Sequence, residues 1–220
     1  MSGIFLLYGY QGAGKGTIGQ SLRQKEYDHI STGDVMRELE RSSDDLSLTE
    51  REWIKTGQAG LSKELVQLLT KKVFERTKMA IDQGCGVVLD GFPKTIEQCE
   101  QLEHFLNENR LKERLQVVLL DISPDEAVER VLSRINCEKC NWVYNSRSYR
   151  PEIPGKCDRC AGKLILRPSD TIDNTCKRHQ GFEKMMHEEI RPYYGDRLKT
   201  LKVDCSINVM LERFDYEFKV

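Results

Sequence analysis

Between Gly9 and Thr17 the chain reads GYQGAGKGT, four glycines around a single cation, Lys15. Glycine inside an element costs about 0.5–1 kcal/mol relative to alanine, so such a cluster implies a backbone that is sharply bent or closely approached. The run follows the apolar stretch IFLLY and leads into a helical pattern. In that setting main-chain N–H groups at a helix start can surround phosphate oxygens, and a lysine can balance their charge. The plainer alternative is a glycine-rich turn carrying a surface lysine. A second reactive group is Cys137, Cys140, Cys157 and Cys160, two CxxC pairs with sixteen residues between them. That spacing suits a four-thiolate zinc site, and four sulfurs leave no open position, so the metal is expected to be structural. A redox-active or disulfide pairing is the alternative. Cys85, Cys99, Cys176 and Cys205 read as packing residues.

Positioning these groups requires a scaffold, and the apolar runs describe one. IFLLYG, GVVLDGF, QVVLLDIS and LKVDCS are short and nearly continuous, with helical patterns between most of them. This predicts an α/β fold whose central parallel sheet is covered on both faces. In SPDE, Ser123 stands at an N-cap, Pro124 at the first helical position and Glu126 where a capping box needs it. The apolar stripe Ala127, Val128, Val131, Leu132 and Ile135 extends this helix and puts Arg130 and Arg134 on one face. Two segments interrupt the rhythm and read as insertions. One, residues 31–68, is helical, with the turn TGQAGLS before a helix capped by Ser62; the other, residues 130–170, carries the cysteine pairs and three of the six prolines. The core is then 1–30, 69–129 and 171–220.

Composition narrows the function. The chain has 34 basic and 35 acidic residues and a net charge of −1, which argues against a nucleic-acid surface. Its N-terminal apolar run is too short for a signal sequence or membrane span, so a cytoplasmic location is the default expectation. With no sustained heptad in view, a monomer is expected.

The GAGKGT ending of the loop, Gly12 to Thr17, resembles the adenylate kinase family of nucleoside monophosphate kinases. HISTGDVMRE, LDGFPKTIEQ and KVDCS resemble that family's acceptor entry, central segment and final strand, and the twin CxxC segment resembles its zinc-bearing lid. The resemblance spans nearly the whole chain. It implies a three-layer phosphate-loop kinase that moves the γ-phosphoryl group of ATP to AMP, reversibly and with Mg2+, beside a structural Zn2+. For ATP it implies Gly12, Ala13, Gly14, Lys15, Gly16 and Thr17, with Arg130 over the base and Val143, Tyr144 and Ile207 nearby. Arg134, Arg167 and Arg178 are implied at the phosphates, closing with a lid that excludes water. For AMP it implies Thr32, Gly33, Arg37, Ala59, Gly60, Leu61, Gly91, Phe92, Lys94 and Gln98, joined by Arg167 and Arg178. Asp90, at the end of a parallel strand, should face the loop. Because Gly16 offers no hydroxyl where the general pattern has one, magnesium should be held by phosphates and by waters that Asp90 orders.

This sequence departs from the family pattern at several points. Lys94 replaces an arginine, keeping the charge but losing the bidentate fork. Ser169 with Asp170 replaces a pair of aspartates, Cys205 replaces a glycine near the ATP base, and Tyr10 with Gln11 replaces small or proline residues. GQAGLS is one residue longer than usual. Gln98 could read adenine's amino edge, or it could serve a capping box with Thr95. The rival readings are a kinase of another monophosphate such as UMP or CMP, a nucleotide-binding regulator with impaired catalysis, and a zinc-ribbon nucleic-acid binder.

Overall fold

The computed structural model describes residues 3–42, 46–47, 50–51, 62–140 and 142–220. Among these, five strands form the central sheet: β1 (Ile4–Tyr8), β2 (Tyr27–Ser31), β3 (Gly86–Asp90), β4 (Leu115–Asp121) and β8 (Leu198–Lys202). Their order is β2-β3-β1-β4-β8, and every neighbouring pair is parallel. All strand C-termini therefore lie along one edge. The register sets Leu7 beside Asp90 and Ser31 beside Asp90, so the segments leaving β1, β2 and β3 meet there.

Alternation within the strands feeds two cores. Ile4, Leu6, Tyr8, Val87 and Leu89 face α2 (Thr32–Ser42), α3 (Lys63–Asp82) and α4 (Ile96–Glu108). Phe5, Leu7, Val88, Val118 and Leu120 face α1 (Lys15–Leu22), α5 (Pro124–Leu132) and α8 (Ile207–Phe218). On that second side Phe214 and Phe218 close on Phe5 at 5.2 and 5.9 Å between ring centroids. Such a pair of cores is why the strand sequences run apolar without a break, and truncating one of these rings to alanine would cost about 3–5 kcal/mol.

The segment after α5 folds as a separate three-stranded antiparallel sheet, β6-β5-β7, from β5 (Arg134–Cys137), β6 (Val143–Asn145) and β7 (Leu164–Ile165). Among the described residues its buried apolar centre is Cys137, Tyr144 and Cys157, a small core for a fold to rest on unaided. The chain then returns through α6 (Ile172–Met185), a π-helical turn (Met186–Ile190) and α7 (Arg191–Tyr194) to β8.

Three expectations need correcting. The α5 helix stops at Leu132, where the Ser133 N–H and hydroxyl both donate to the Glu129 carbonyl. Ile135 then pairs with Tyr144 in β5, so Arg134 does not share a helix face with Arg130. Ser123 does cap α5 by accepting from the Glu126 N–H, but the Glu126 carboxylate turns to Arg130 and leaves the box unreciprocated. The last strand lies earlier than KVDCS, at Leu198–Lys202, and a strand that the apolar runs did not announce, Tyr27–Ser31, forms the sheet edge.

Candidate active site

The loop between β1 and α1 is shaped by glycines acting in different ways. Gly14 is the N-cap of α1 in the left-handed region (φ 97°), and no side chain caps the helix, so its first N–H groups are left for an external acceptor. Gly12 (φ 98°) lies so close to α5 that a Cβ there would stand 2.3 Å from the Ala127 carbonyl oxygen. A Cβ on Gly16 would meet nothing within 4 Å, so that side of the loop is open. Lys15 curls back across the opening and donates from Nζ to the carbonyls of Gly9 and Tyr10 at 2.7 and 2.9 Å. Burial holds its ammonium below the ordinary lysine value, against the pull of Asp90.

Asp90 stands at the end of β3, with His29 Nε2 3.5 Å from its Oδ2. Burial alone would push this carboxyl up. His29, then Lys15 and Lys94, outweigh that and keep it below the ordinary aspartate value, hence ionised at neutral pH. His29 owes its place to Gly19, where a Cβ would fall 2.5 Å from the imidazole. At 3.5 Å the His29 contact is electrostatic rather than a formed hydrogen bond, and Nε2 has no other partner among the described residues.

The expected acceptor residues gather at the ends of β2 and β3. Thr32 is buried and donates to the carbonyls of Asp90 and Gly91, each at 3.3 Å. Gly33 lies beside Arg37, whose guanidinium meets Asp34 at 2.5 Å. Gly91 (φ 80°) has no room for a Cβ, which would sit 2.7 Å from Thr32 Oγ1. Phe92 points into the core against Phe74. Thr95 caps α4 by accepting from the Gln98 N–H, yet the Gln98 carboxamide does not return to Thr95. It accepts from the Lys94 N–H at 2.8 Å and donates to Thr70 Oγ1 at 3.3 Å. Beside it a groove of ≈ 590 Å³ opens between α3 and α4, walled by Thr70, Phe74 and Phe105. Ala59, Gly60 and Leu61 lie outside the described residues.

Above the loop the basic residues converge. Asp170 grips Arg134 with both oxygens, at 2.9 Å from Nε and 2.7 and 2.8 Å from Nη2. Arg167 is lowered to about 10 by burial and then by its neighbours Arg134 and Arg37. Arg178 is lowered by burial and by Arg134 and Arg37, with Asp170 opposing; Lys94 is lowered by burial and by Arg178, with Asp90 opposing. Lys15, Lys94, Arg167 and Arg178 are thus each held below their ordinary values in a cluster that also contains Arg37 and Arg134, with Asp34, Asp90 and Asp170 the acids that face it. Crowded cations of this kind form a site for a multiply charged anion. Arg130 sits apart on α5, donating to Glu126 and to the Val203 carbonyl at 2.9 Å each, near the start of α8 at Ile207. Thr17 lies in the first turn of α1, one residue past Gly16.

The four cysteine sulfurs lie within 4.8 Å of one another, with Cys137–Cys160 and Cys140–Cys157 at 3.4 and 3.6 Å. A tetrahedral zinc with Zn–S bonds of about 2.3 Å requires S···S separations of about 3.8 Å, so the quartet fits the ion. Gly162 makes this possible: a Cβ there would lie 2.9 Å from Cys137 Sγ. Tyr144 donates its hydroxyl to Cys157 Sγ at 3.6 Å, so that side chain is occupied inside the small sheet, while Val143 pairs with Asn136.

Three groups that organise this site, Gln11, His29 and His179, carry no assigned role in the sequence. His29 opens the segment HISTGDVMRE without a role of its own, and His179 lies in no motif, a lone histidine being more often a core residue than a functional one. Gln11 stands out only as a departure from the family pattern; Asp170 is the acid left of the family's aspartate pair that orders the lid arginines, and nothing in the sequence shows that the two touch.

A phosphate loop at the C-terminal edge of a parallel sheet, faced by Arg134 of a separate small sheet and by Arg167 and Arg178 beyond it, defines a phosphate-loop α/β nucleotide kinase. The chain belongs to the adenylate kinase family, whose model, described as "Adenylate kinase", matches residues 7–198. Among curated relatives, the adenylate kinase of Thermotoga neapolitana is 31% identical over 214 residues, covering 95% of this chain and 93% of that protein. That of Petrotoga mobilis is 32% identical over 205 residues, covering 93% and 91%. The adenylate kinase of Lactobacillus gasseri is 33% identical over 196 residues, covering 87% and 86%.

Proposed function

We propose that this chain transfers the γ-phosphoryl group of ATP to AMP and back, giving two ADP. A phosphate oxygen of AMP forms the new P–O bond as the bond between the γ-phosphorus and the β,γ-bridging oxygen breaks and ADP leaves. The observation that carries this reading is the convergence of Lys15, Lys94, Arg37, Arg134, Arg167 and Arg178, with Arg134 and Arg178 tied to the loop through Asp170 and Gln11, over an uncapped helix start. Such a transfer asks little covalent work of the protein and much positioning and charge stabilisation.

In this reading the N–H groups from Gly12 to Thr17 hold the triphosphate, and Lys15 leaves the Gly9 and Tyr10 carbonyls for its outer phosphates. Arg134, Arg167 and Arg178 surround the transferred group, and Arg130, Val143, Tyr144 and Ile207 border the donor base. Thr32, Gly33, Arg37, Gly91, Phe92, Lys94 and Gln98, with Ala59, Gly60 and Leu61, receive AMP, and Arg167 and Arg178 reach its phosphate. Asp90, ionised and facing Lys15, orders the waters of a magnesium ion, which when bound neutralises charge on the phosphates. Residues 31–68 act as the acceptor-binding part and 130–170 as a lid stapled by zinc, on the core formed by the remainder. We further propose a cytoplasmic monomer without nucleic-acid or membrane partners; no helix among the described residues is long and apolar enough to cross a membrane.

A second reading changes only the acceptor. It is favoured by Lys94 in place of a forked arginine and by the Gln98 carboxamide, already engaged by the Lys94 N–H and Thr70. ADP formation from ATP with AMP, UMP, CMP, GMP and dTMP in parallel decides between them. We expect AMP to give the highest kcat/KM; a higher value for a pyrimidine monophosphate would move the assignment to that acceptor.

A further inference from the structure

We propose that Gln11 is a positioning residue: its carboxamide sits as a spacer between Asp170 and Arg178, holding two of the arginines over the site, Arg134 and Arg178, in register with the phosphate loop. Both ends of the amide are used, on partners of opposite charge. Oε1 accepts from Arg178 Nη1 at 2.9 Å, and Nε2 donates to Asp170 Oδ1 at 3.0 Å. Those partners fix which way the amide faces, since a flip would aim its NH2 at a guanidinium and its oxygen at a carboxylate. Asp170 passes the constraint on, because the same carboxylate grips Arg134 from both oxygens. The Asp170 side chain is 5% exposed and that of Arg134 17%, so water cannot readily take over these bonds.

The backbone of Gln11 is itself pinned. Its carbonyl accepts from His179 Nε2 at 3.0 Å, and the His179 ring lies against Tyr10 at 4.6 Å. Tyr10 donates its hydroxyl to Glu183 and packs on Phe182 at 5.0 Å. Two consecutive loop residues thus dock α6, the helix that carries Arg178, onto the cradle.

Removing the spacer has a definite chemical consequence. Asp170 is the acid that most strongly supports the charge of Arg178. With no amide between them the two can pair directly, which takes Arg178 away from the phosphates and one carboxylate oxygen away from Arg134. Gln11 therefore acts through its neighbours and touches no reacting atom.

The inference rests on the kinase reading above, and its test separates the two. Steady-state rates with ATP and AMP are measured for the parent, Gln11→Met, Gln11→Asn, Asp170→Asn and Gln11→Met/Asp170→Asn, alongside nucleotide affinity and thermal unfolding. Methionine keeps the length without either hydrogen bond; asparagine is one methylene too short to reach both partners. Expected is a drop in kcat of about 10- to 100-fold for Gln11→Met, the scale of lost hydrogen bonds to charged groups, with KM and Tm little changed. The double variant should lose no more than Asp170→Asn alone. Undiminished kcat in Gln11→Met, or losses that multiply in the double variant, overturn the proposal. If the methionine variant unfolds, Gln11→Asn decides by the same criterion, reduced kcat supporting and parental kcat overturning it. A parent without phosphoryl transfer fails the kinase reading instead.

Discussion

Lys94 shows how much a single side chain can be asked to do here. The residue is exposed, but its ammonium lies beside Asp90 and Arg178, where lost hydration and the guanidinium both weaken its charge while Asp90 supports it. An ammonium is a point charge, whereas a guanidinium can hold two phosphate oxygens at once. Lys94→Arg should therefore lower the KM for AMP, by up to about tenfold, while kcat changes little. An unchanged AMP dependence would show that Lys94 does not reach the acceptor phosphate. At this scale the loop residues and the cysteine quartet were legible from type and spacing alone. Gln11, His29 and His179 were not, because their roles depend on which carbonyl or carboxylate the fold carries to them from distant parts of the chain. Gln98 was legible as either a base reader or a cap, and the structure gives it a third occupation, bridging the Lys94 N–H and Thr70.

Among the elements, the small sheet β6-β5-β7 depends most on something beyond its own packing. Its small buried centre offsets little of the conformational entropy of some thirty ordered residues, at roughly 1–2 kcal/mol each, and a zinc ion on the cysteine quartet would supply the difference. Purified protein should carry about one zinc per chain. Stripping it with a chelator should abolish phosphoryl transfer yet leave the main unfolding transition, which belongs to the central sheet, largely in place. Full activity in metal-free protein would contradict that dependence. The same element explains a misreading of the sequence. The apolar stripe of α5 continues to Ile135, but Ile135 is used in β5 against Tyr144, because Cys137 must be delivered to the quartet. Tertiary demand overrode helical periodicity there. Strand β2 escaped notice for a related reason: Asp28 and His29 interrupt its apolar pattern, as an edge strand tolerates, and His29 is spent on Asp90 rather than on the core.

At the scale of the whole molecule, the parallel sheet was readable because strands buried on both faces leave an unbroken apolar signature. Their order was not, since nothing in a run such as GVVLD says which neighbour it will take. That order is what creates the site. By inserting β3 between β1 and β2, it sets Asp90 beside the loop and Thr32 beside Asp90. A near-neutral chain thus concentrates cations over one edge while its overall charge stays at −1, so the field belongs to the site rather than to the surface.

The most direct test follows 31P spectra of ATP, AMP and magnesium with the parent chain and with Lys15→Met. If the loop and Lys15 hold the triphosphate for direct transfer, the parent consumes ATP and AMP in equal amounts, produces two ADP for each pair and releases no inorganic phosphate, and Lys15→Met slows this by at least about 100-fold. Release of inorganic phosphate with AMP untouched, or a Lys15→Met variant as fast as the parent, would contradict it.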